Sequence, residues 1–243
     1  MRLTEFTNIQ LQEGGNVFPG TVDIKKEYVP GIVDQLTQML PDYNLQPHIG
    51  SAGYKLVSGD MDVMLDAQEV ISHYNAKDEK DAKQQLANDI RAKTGLEVSV
   101  KGRNVHLKMP LPDKTFGQVD LMVIADAGIV APYHQHGPRG SYDDPEFKGS
   151  DIFIVMNSIA KSLGLKFDAF SAKLMRRDDN FVVARDRDEV AKILLNPGSK
   201  GDDLSSVKSI LNALKTDPKR DEKLAQARDD VAKGIVKLPG DGR

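Results

Sequence analysis

The stretch Ser58-Gly-Asp-Met-Asp-Val-Met-Leu65 alternates polar and apolar residues from Asp60 onward, as a half-buried β-strand does. It follows Ile49-Gly-Ser51, where a short predicted strand ends at two small residues. Asp60 and Asp62 stand at i and i+2, which places them on the same face of a strand. Two carboxylates so close repel each other and are stable mainly when a divalent cation lies between them. Oxygen ligands alone suit magnesium, which accepts phosphate oxygens as further ligands.

Asp120 is a third candidate, in a predicted strand over 118–125 whose other residues are nearly all apolar. A lone carboxyl in a buried strand is costly unless it is paired or bound to metal. There it would hold and deprotonate an attacking hydroxyl beside a second metal ion. The Gly50-Ser51 turn would let backbone N–H groups approach a triphosphate. Each feature alone also fits a plain turn, a surface pair or a strand-end cap, but their joint order and spacing indicate a nucleotidyltransferase.

The composition is that of a soluble globular protein. The chain has 243 residues, a formal net charge of −3 and no cysteine, which excludes disulfides and thiolate metal sites. No apolar run is long enough to span a bilayer, and the first residues do not resemble a signal peptide, so we expect a cytoplasmic protein. The net charge argues against a non-specific nucleic-acid coat but allows a local basic groove.

Hydrophobic periodicity and turn signals predict an α+β fold. We expect a mixed or antiparallel sheet that carries the three aspartates on adjacent strands, with helices on one face. A smaller helix-and-hairpin subdomain and a helical tail would follow. The predicted helices are 28–40, 77–94, 150–163, 186–195, 203–215 and 217–235. The predicted strands are 45–49, 61–65, 96–101, 104–109, 118–125, 170–176 and 181–185, and 126–150 is predicted to be a long loop.

The combination of Gly-Ser, Asp-x-Asp and a later strand aspartate resembles the signature of the polymerase-beta-like nucleotidyltransferase superfamily. The stretch 58–65 is similar to the corresponding segment of family X DNA polymerases. Phe147-Lys-Gly-Ser-Asp-Ile-Phe153 resembles that family's nucleotide-contacting motif, and 160–167 resembles its helix end and entry to a small hairpin. The whole resembles a minimal palm-plus-selection-subdomain form, of the sort known from a virus, for which the host cytoplasm would be the location. The implied divisions are an N-terminal arm (1–27), a palm (28–140), a nucleotide-selection-like subdomain (141–197) and a helical tail (198–243).

The resemblance also implies a role for each site residue. Asp60 and Asp62 would bind two Mg²⁺ or Mn²⁺ ions, and Asp120 would touch only the catalytic ion and act on the primer hydroxyl. Gln118 stands where an arginine partner is expected, and Ile154 and Val155 stand where polar residues would meet the incoming base. The implied nucleotide-binding residues are Gly50, Ser51, Gly59, Phe147, Gly149 and Asp151, with Lys55 as the candidate for the positive charge of the turn.

Basic side chains on two predicted hairpins are candidate nucleic-acid contacts, although a solvated hairpin explains them as well. They are Lys101, Arg103, His106, Lys108, Lys173 and Arg176. His134 and His136 have metal-binding chemistry, but exposure in a polar loop is the simpler expectation.

The predicted reaction transfers a nucleoside monophosphate from an NTP or dNTP to a hydroxyl. The favoured acceptor is a nucleic-acid 3′ end, of DNA or RNA. One alternative is a nucleotidyltransferase that modifies RNA, a protein or a small molecule. A second alternative is a non-catalytic binding or structural module that keeps the fold, against which the presence of all three carboxylates argues.

Overall fold

The computed structural model describes residues 17–134 and 149–233, and the architecture within them is α+β, as predicted. Its strands are β1 (Ile24–Lys25), β2 (Gln46–Ile49), β3 (Val57–Ser58), β4 (Asp60–Asp66), β5 (Val98–Lys101), β6 (Asn104–Pro110), β7 (Phe116–Ile124), β8 (Leu165–Asp168), β9 (Lys173–Arg176) and β10 (Val182–Ala184). Its α-helices are α1 (Val29–Met39), α2 (Ala67–Tyr74), α3 (Glu79–Thr94), α4 (Ala127–His134), α5 (Gly149–Ser162), α6 (Arg187–Leu194), α7 (Val207–Ala213) and α8 (Arg220–Ala232).

The main sheet has five strands in the order β2-β4-β7-β6-β5. The neighbours β4 and β7 run parallel, while the other neighbouring pairs are antiparallel, so the sheet is mixed. The tight β5–β6 hairpin turns at Gly102-Arg103, as predicted, with Lys101 opposite Asn104. This strand order places the two aspartate-bearing strands side by side at the centre of the sheet.

One face of this sheet is apolar and covered by helices. Alternate residues of β4, β6 and β7 are buried there beneath α1, α2 and α3 in a single hydrophobic core. Burial of such side chains contributes about 25 cal/mol for each Å² of apolar surface removed from water. The sheet residues of this core are Met61, Val63, Leu65, Val105, Leu107, Met109, Val119, Leu121 and Val123.

A second hydrophobic core joins the end of the opposite face to the rest of the chain. Met64 and Ile124 lie on that face and pack in one cluster with α4, α5, α6 and the antiparallel sheet β10-β9-β8. The tail belongs to the same core, and α8 packs along α5, where Ser158 Oγ donates to Asp230 at 2.5 Å. A buried ion pair between Lys223 and Asp217, 2.7 Å long, fixes the tail further.

Local sequence signals explain several helix ends. Asp78 caps α3 by accepting from the backbone N–H of Asp81, and Gly95 ends that helix at φ +71°. Asp186 caps α6 through the N–H groups of Asp188 and Glu189. These ends lie within a few residues of those predicted.

Two predictions of local structure are wrong, and several short elements were not predicted. Residues 127–134 form α4 rather than the start of a loop, because Ala127, Val130 and Ala131 are buried in the second core. The predicted helix 203–215 is broken into a 3₁₀ turn, α7 and a second 3₁₀ turn, because the Ser206 side chain caps a new helix. The helix α2 was not predicted at all. The remainder of the predicted loop, 135–148, lies outside the described residues.

The first described residues belong to the predicted N-terminal arm and contact the palm strands. Ile24 is fully buried, and β1 pairs with β3. The backbone N–H of Val17 donates to Gln118 Oε1 at 2.9 Å.

The divisions between arm, palm, subdomain and tail remain predictions. Among the described helices, none is long and apolar enough to cross a membrane.

Candidate active site

The three predicted aspartates lie together on the face of the main sheet opposite the helix-covered one. Asp62 is directly opposite Asp120 in the parallel β4–β7 register, and Asp60 is opposite Gln118. Because side chains alternate along a strand, these residues point away from the helix-covered core. The sheet therefore brings together two carboxylates from one strand and a third from its neighbour, beside the second hydrophobic core.

Asp62 is in an electrostatically unfavourable position. Burial raises the pKa of its carboxyl, and the neighbouring charges of Asp60 and Asp120 raise it further, to about 8. Without a cation, this site holds its proton at neutral pH. A bound divalent cation would reverse this effect by favouring the ionised form.

Asp120 is held by three side chains. Its Oδ1 lies 2.8 Å from His106 Nδ1 and accepts from Gln118 Nε2 at 2.9 Å. Its Oδ2 accepts from Asn104 Nδ2 at 3.2 Å. His106 lies opposite Asp120 in the β6–β7 register, and both side chains are almost fully buried. We call Asn104, His106 and Gln118 the Asp120 donor set.

The Gly50-Ser51 turn closes against the same carboxylates. Gly50 has φ +68°, and a Cβ atom there would lie 2.7 Å from Asp62 Oδ2, so only glycine fits without displacing that oxygen. Its N–H donates to the carbonyl of His134 at 3.2 Å. Ser51 Oγ donates to the buried hydroxyl of Ser58 at 3.0 Å. The turn thus lies against the metal-binding candidates, although the Gly50 N–H already has a protein partner.

The donor chemistry of the three aspartates suits a hard divalent cation. All six side-chain oxygens are carboxylate oxygens, which is the donor type that Mg²⁺ prefers. Asp62 is opposite Asp120 across the strand pair and on the same strand face as Asp60, so both charges act on its carboxyl. Within residues 17–134 and 149–233, no three His, Cys, Asp or Glu side chains converge as a formed metal-binding group. The three aspartates have the oxygen donors of a magnesium site, but their carboxylates do not converge on one point.

The remaining predicted nucleotide-binding residues lie on two elements. Lys55 follows Gly50-Ser51 in the same turn, where its N–H donates to the Ser51 carbonyl, and Gly59 directly precedes β4. Gly149 and Asp151 begin α5. Phe147 lies outside the described residues. Val155 is fully buried in the second core, so its side chain does not face a substrate.

The predicted nucleic-acid contacts do not form one free basic patch. Lys101 is exposed on the β5–β6 hairpin, but the Arg103 guanidinium lies 4.3 Å from the ring centre of Phe170. His106 is buried against Asp120 instead of lying on the surface, and Lys108 pairs with Glu97 at 3.0 Å. On the other hairpin, Lys173 is opposite Asp168, and Arg176 pairs with Asp179 and lies over the Phe181 ring.

His134 differs from its prediction. Its ring packs between Phe153 and Phe170, at centroid distances of 4.8 and 5.4 Å, and its Nε2 lies 2.9 Å from the carbonyl oxygen of Ala169. Burial lowers the pKa of this imidazole. The expectation of an exposed loop histidine is therefore wrong for His134, and His136 lies outside the described residues.

Two members of the Asp120 donor set were not predicted as site residues. Asn104 and Gln118 stand two residues before His106 and Asp120 on paired strands, so strand alternation puts all four on one face. The signal was present in the predicted hairpin register. It was missed because a polar residue in a hairpin is usually solvated.

Sequence comparison identifies no relative: no protein-family model matches the chain, and no curated protein matches it. Structural comparison gives a definite class of fold, which is polymerase-beta-like. The fold is similar to that of Leishmania infantum polymerase beta in a ternary P/T complex, with 14% identity, a TM-score of 0.52 and coverage of 75% of this chain and 77% of that one. The ternary gap complex of the same protein gives 14% identity, a TM-score of 0.50 and coverage of 74% and 70%. The predicted resemblance is thus confirmed at the level of the fold.

Proposed function

We propose that the protein is a metal-dependent nucleotidyltransferase that moves a nucleoside monophosphate from a nucleoside triphosphate to a hydroxyl acceptor. The observation that carries this proposal is the placement of Asp60, Asp62 and Asp120 on one face of adjacent strands, beside the Gly50-Ser51 turn. A polymerase-beta-like fold around these residues supports the same chemistry.

Asp60 and Asp62 would hold two divalent cations, Mg²⁺ or Mn²⁺, and Asp120 would share one of them. Such ions, when bound, neutralise the charge of a triphosphate and activate a hydroxyl at neutral pH. The protein's own contribution is positioning. The strand register fixes the spacing of the carboxylates, and Asp120 would accept the proton of the attacking hydroxyl.

The acceptor we favour is the 3′ end of a nucleic acid. The similar polymerase beta structures are ternary P/T and gap complexes, and Lys101 is exposed on the β5–β6 hairpin of the main sheet. Gly50, Ser51, Lys55 and Gly59 would line the triphosphate in this arrangement. Gly149 and Asp151, at the start of α5, would contact the nucleotide's sugar and base.

A protein or small-molecule acceptor is the second candidate. One observation favours it: Arg103, Lys108 and Arg176 are each engaged by an aromatic ring or a carboxylate of the same chain. A phosphate backbone would have to compete with these internal partners. This candidate keeps the metal site and the transfer chemistry and changes only what presents the hydroxyl.

The test is incubation with labelled dNTPs or NTPs and Mg²⁺ or Mn²⁺. The acceptor panel is gapped DNA, single-stranded DNA, RNA and no acceptor. We expect the wild type to extend a nucleic-acid end, and the variant Asp62→Ala/Asp120→Ala to lose transfer by at least about 100-fold. Asp34→Ala, on the exposed side of α1, is the matched control and should behave as wild type. Equal transfer by the wild type and the double variant on every acceptor would refute the proposal.

A further inference from the structure

The hydrogen bonds around Asp120 limit how that carboxylate can bind. A carboxylate has two oxygens and about four acceptor positions. In this structure Oδ1 already has two partners, His106 and Gln118, and Oδ2 has one, Asn104. Within the part of the chain that the structure describes, three of the acceptor positions are therefore occupied, and the fourth lies on Oδ2.

The orientation of each donor is fixed by chemistry. The Val17 N–H can only donate, so Gln118 must present Oε1 to it and Nε2 to Asp120. An ionised carboxylate only accepts, so the Asn104 contact requires the Nδ2 amide nitrogen. For the same reason, the His106 tautomer that satisfies this contact carries its proton on Nδ1.

Sheet geometry fixes the position of His106 within this set. It is opposite Asp120 across the β6–β7 pair, and Ser99 of β5 is opposite it on its other side. Its side chain is enclosed, with only 7% of the residue exposed. Asn104 is half-buried at the start of β6, whereas Gln118 is even less exposed than His106 and accepts from the Val17 N–H.

We propose that His106, with Gln118 and Asn104, positions Asp120 so that it offers a single Oδ2 lone pair to a divalent cation or to the acceptor hydroxyl. His106 is thus a positioning residue, acting through Asp120 without touching the substrate. This inference rests on the proposed nucleotidyl transfer and adds a mode of binding for one of its three carboxylates. Asp120 would then contribute one oxygen to a bound ion.

The test compares two substitutions of similar size. His106→Leu removes the donor, whereas His106→Asn keeps an N–H close to the position of Nδ1. Ser99→Ala is the control, because Ser99 neighbours His106 on the side away from Asp120. Asn104→Ala, which removes the donor to Oδ2, provides a second variant if His106→Leu does not fold.

Two readouts are needed. The first is Mn²⁺ binding to the nucleotide-free protein, measured from the electron paramagnetic resonance signal of free Mn²⁺. We expect His106→Leu to weaken binding about 10-fold and Asn104→Ala to weaken it by a smaller factor, as is typical for partners of metal-binding side chains.

The second readout is steady-state transfer, where His106→Leu should lower kcat about 10-fold with little change in the nucleotide KM. His106→Asn should recover most of both losses, and Ser99→Ala should match the wild type.

The proposal is overturned if folded His106→Leu binds Mn²⁺ and transfers nucleotide like the wild type. Equal defects in His106→Leu and His106→Asn would also overturn it, because they would indicate a packing role. If the wild type transfers no nucleotide, the proposed function fails, yet the Mn²⁺ comparison still decides whether His106 positions Asp120.

Discussion

The two faces of the main sheet are formed by alternate residues of the same strands, and around the three aspartates their chemistry differs. On β4 and β7, Val63 and Leu121 are fully buried beneath helices, while their neighbours Asp62 and Asp120 are on the other face. The helix-covered face uses non-directional apolar burial, which tolerates small changes in position. The carboxylate face uses hydrogen bonds and charge, which depend on strand register. Strand alternation thus separates the residues that stabilise the sheet from those proposed to act on a substrate.

The largest expected effect on stability comes from the helix-covered face. Leu121→Ala should lower the free energy of unfolding by about 2–5 kcal/mol, because it leaves a cavity in a closed core. Asp62→Asn, on the adjacent strand and the opposite face, should leave stability unchanged or raise it. Urea unfolding monitored by circular dichroism measures both. An equal loss in the two variants would mean that the faces are not separated in this way.

The next effect is a pH dependence on the carboxylate face. Below pH 4 the Asp62 carboxyl is protonated in both the folded and the unfolded chain and contributes no difference. As the pH rises, the unfolded chain ionises near its ordinary pKa of 3.8, while the folded chain resists until about 8. This residue therefore destabilises the metal-free protein progressively between those values, with the full cost present above pH 8.

The difference between wild type and Asp62→Asn isolates this contribution. In EDTA we expect the variant to gain about 2 kcal/mol over the wild type between pH 5 and pH 8. At about 1.4 kcal/mol per pKa unit, the full change in the Asp62 pKa would give a larger difference in stability. We expect the smaller value because Asp62 is partly exposed and therefore partly solvated. Replacing EDTA by Mg²⁺ at pH 8 should reduce the gap. A stability difference between the two proteins that does not change with pH would contradict the electrostatic explanation.

A smaller effect is expected at the edge of the carboxylate face. Gly50→Ala adds a left-handed-backbone cost of about 1 kcal/mol and a Cβ against Asp62 Oδ2. Gly95→Ala is a matched control, because Gly95 has φ +71° but nothing within 4 Å of the added Cβ. Both variants should lose similar stability in thermal unfolding. Only Gly50→Ala should lower transfer, by about 10-fold, and a matching loss in Gly95→Ala would point to strain alone.

The smallest expected effect is at the contact between the β5–β6 hairpin and the subdomain. Arg103→Leu should cost about 0.5–1 kcal/mol through the lost contact with Phe170. A double-mutant cycle with Phe170→Leu measures the coupling. Zero coupling would free Arg103 for the nucleic-acid contact that the sequence predicts, whereas a coupling of that size would show that an acceptor must compete for it.

Much of the fold could be predicted from short-range patterns. Strands β4 and β7, the β5–β6 hairpin and the caps Asp78 and Asp186 each have a local physical signal, namely alternation, a two-residue turn or a side-chain cap. Helix α4 could not be predicted in this way. The apolar residues of this helix are stabilised by a core that is built from distant parts of the chain. In addition, Pro132 lies inside the helix, and a proline is typical of a loop or turn.

The sequence by itself determined the mixed α+β architecture, the three candidate aspartates and the face that Asp60 and Asp62 share, because strand parity and charge repulsion are local properties. Only the tertiary structure decided how that site is arranged. The parallel pairing of β4 and β7 places Asp62 beside Asp120, and the β6–β7 register places His106 against the Asp120 carboxylate. The turn after β2 places Gly50 against the Asp62 carboxylate. These contacts join residues that are far apart in the chain, and their pairing depends on which strands become neighbours.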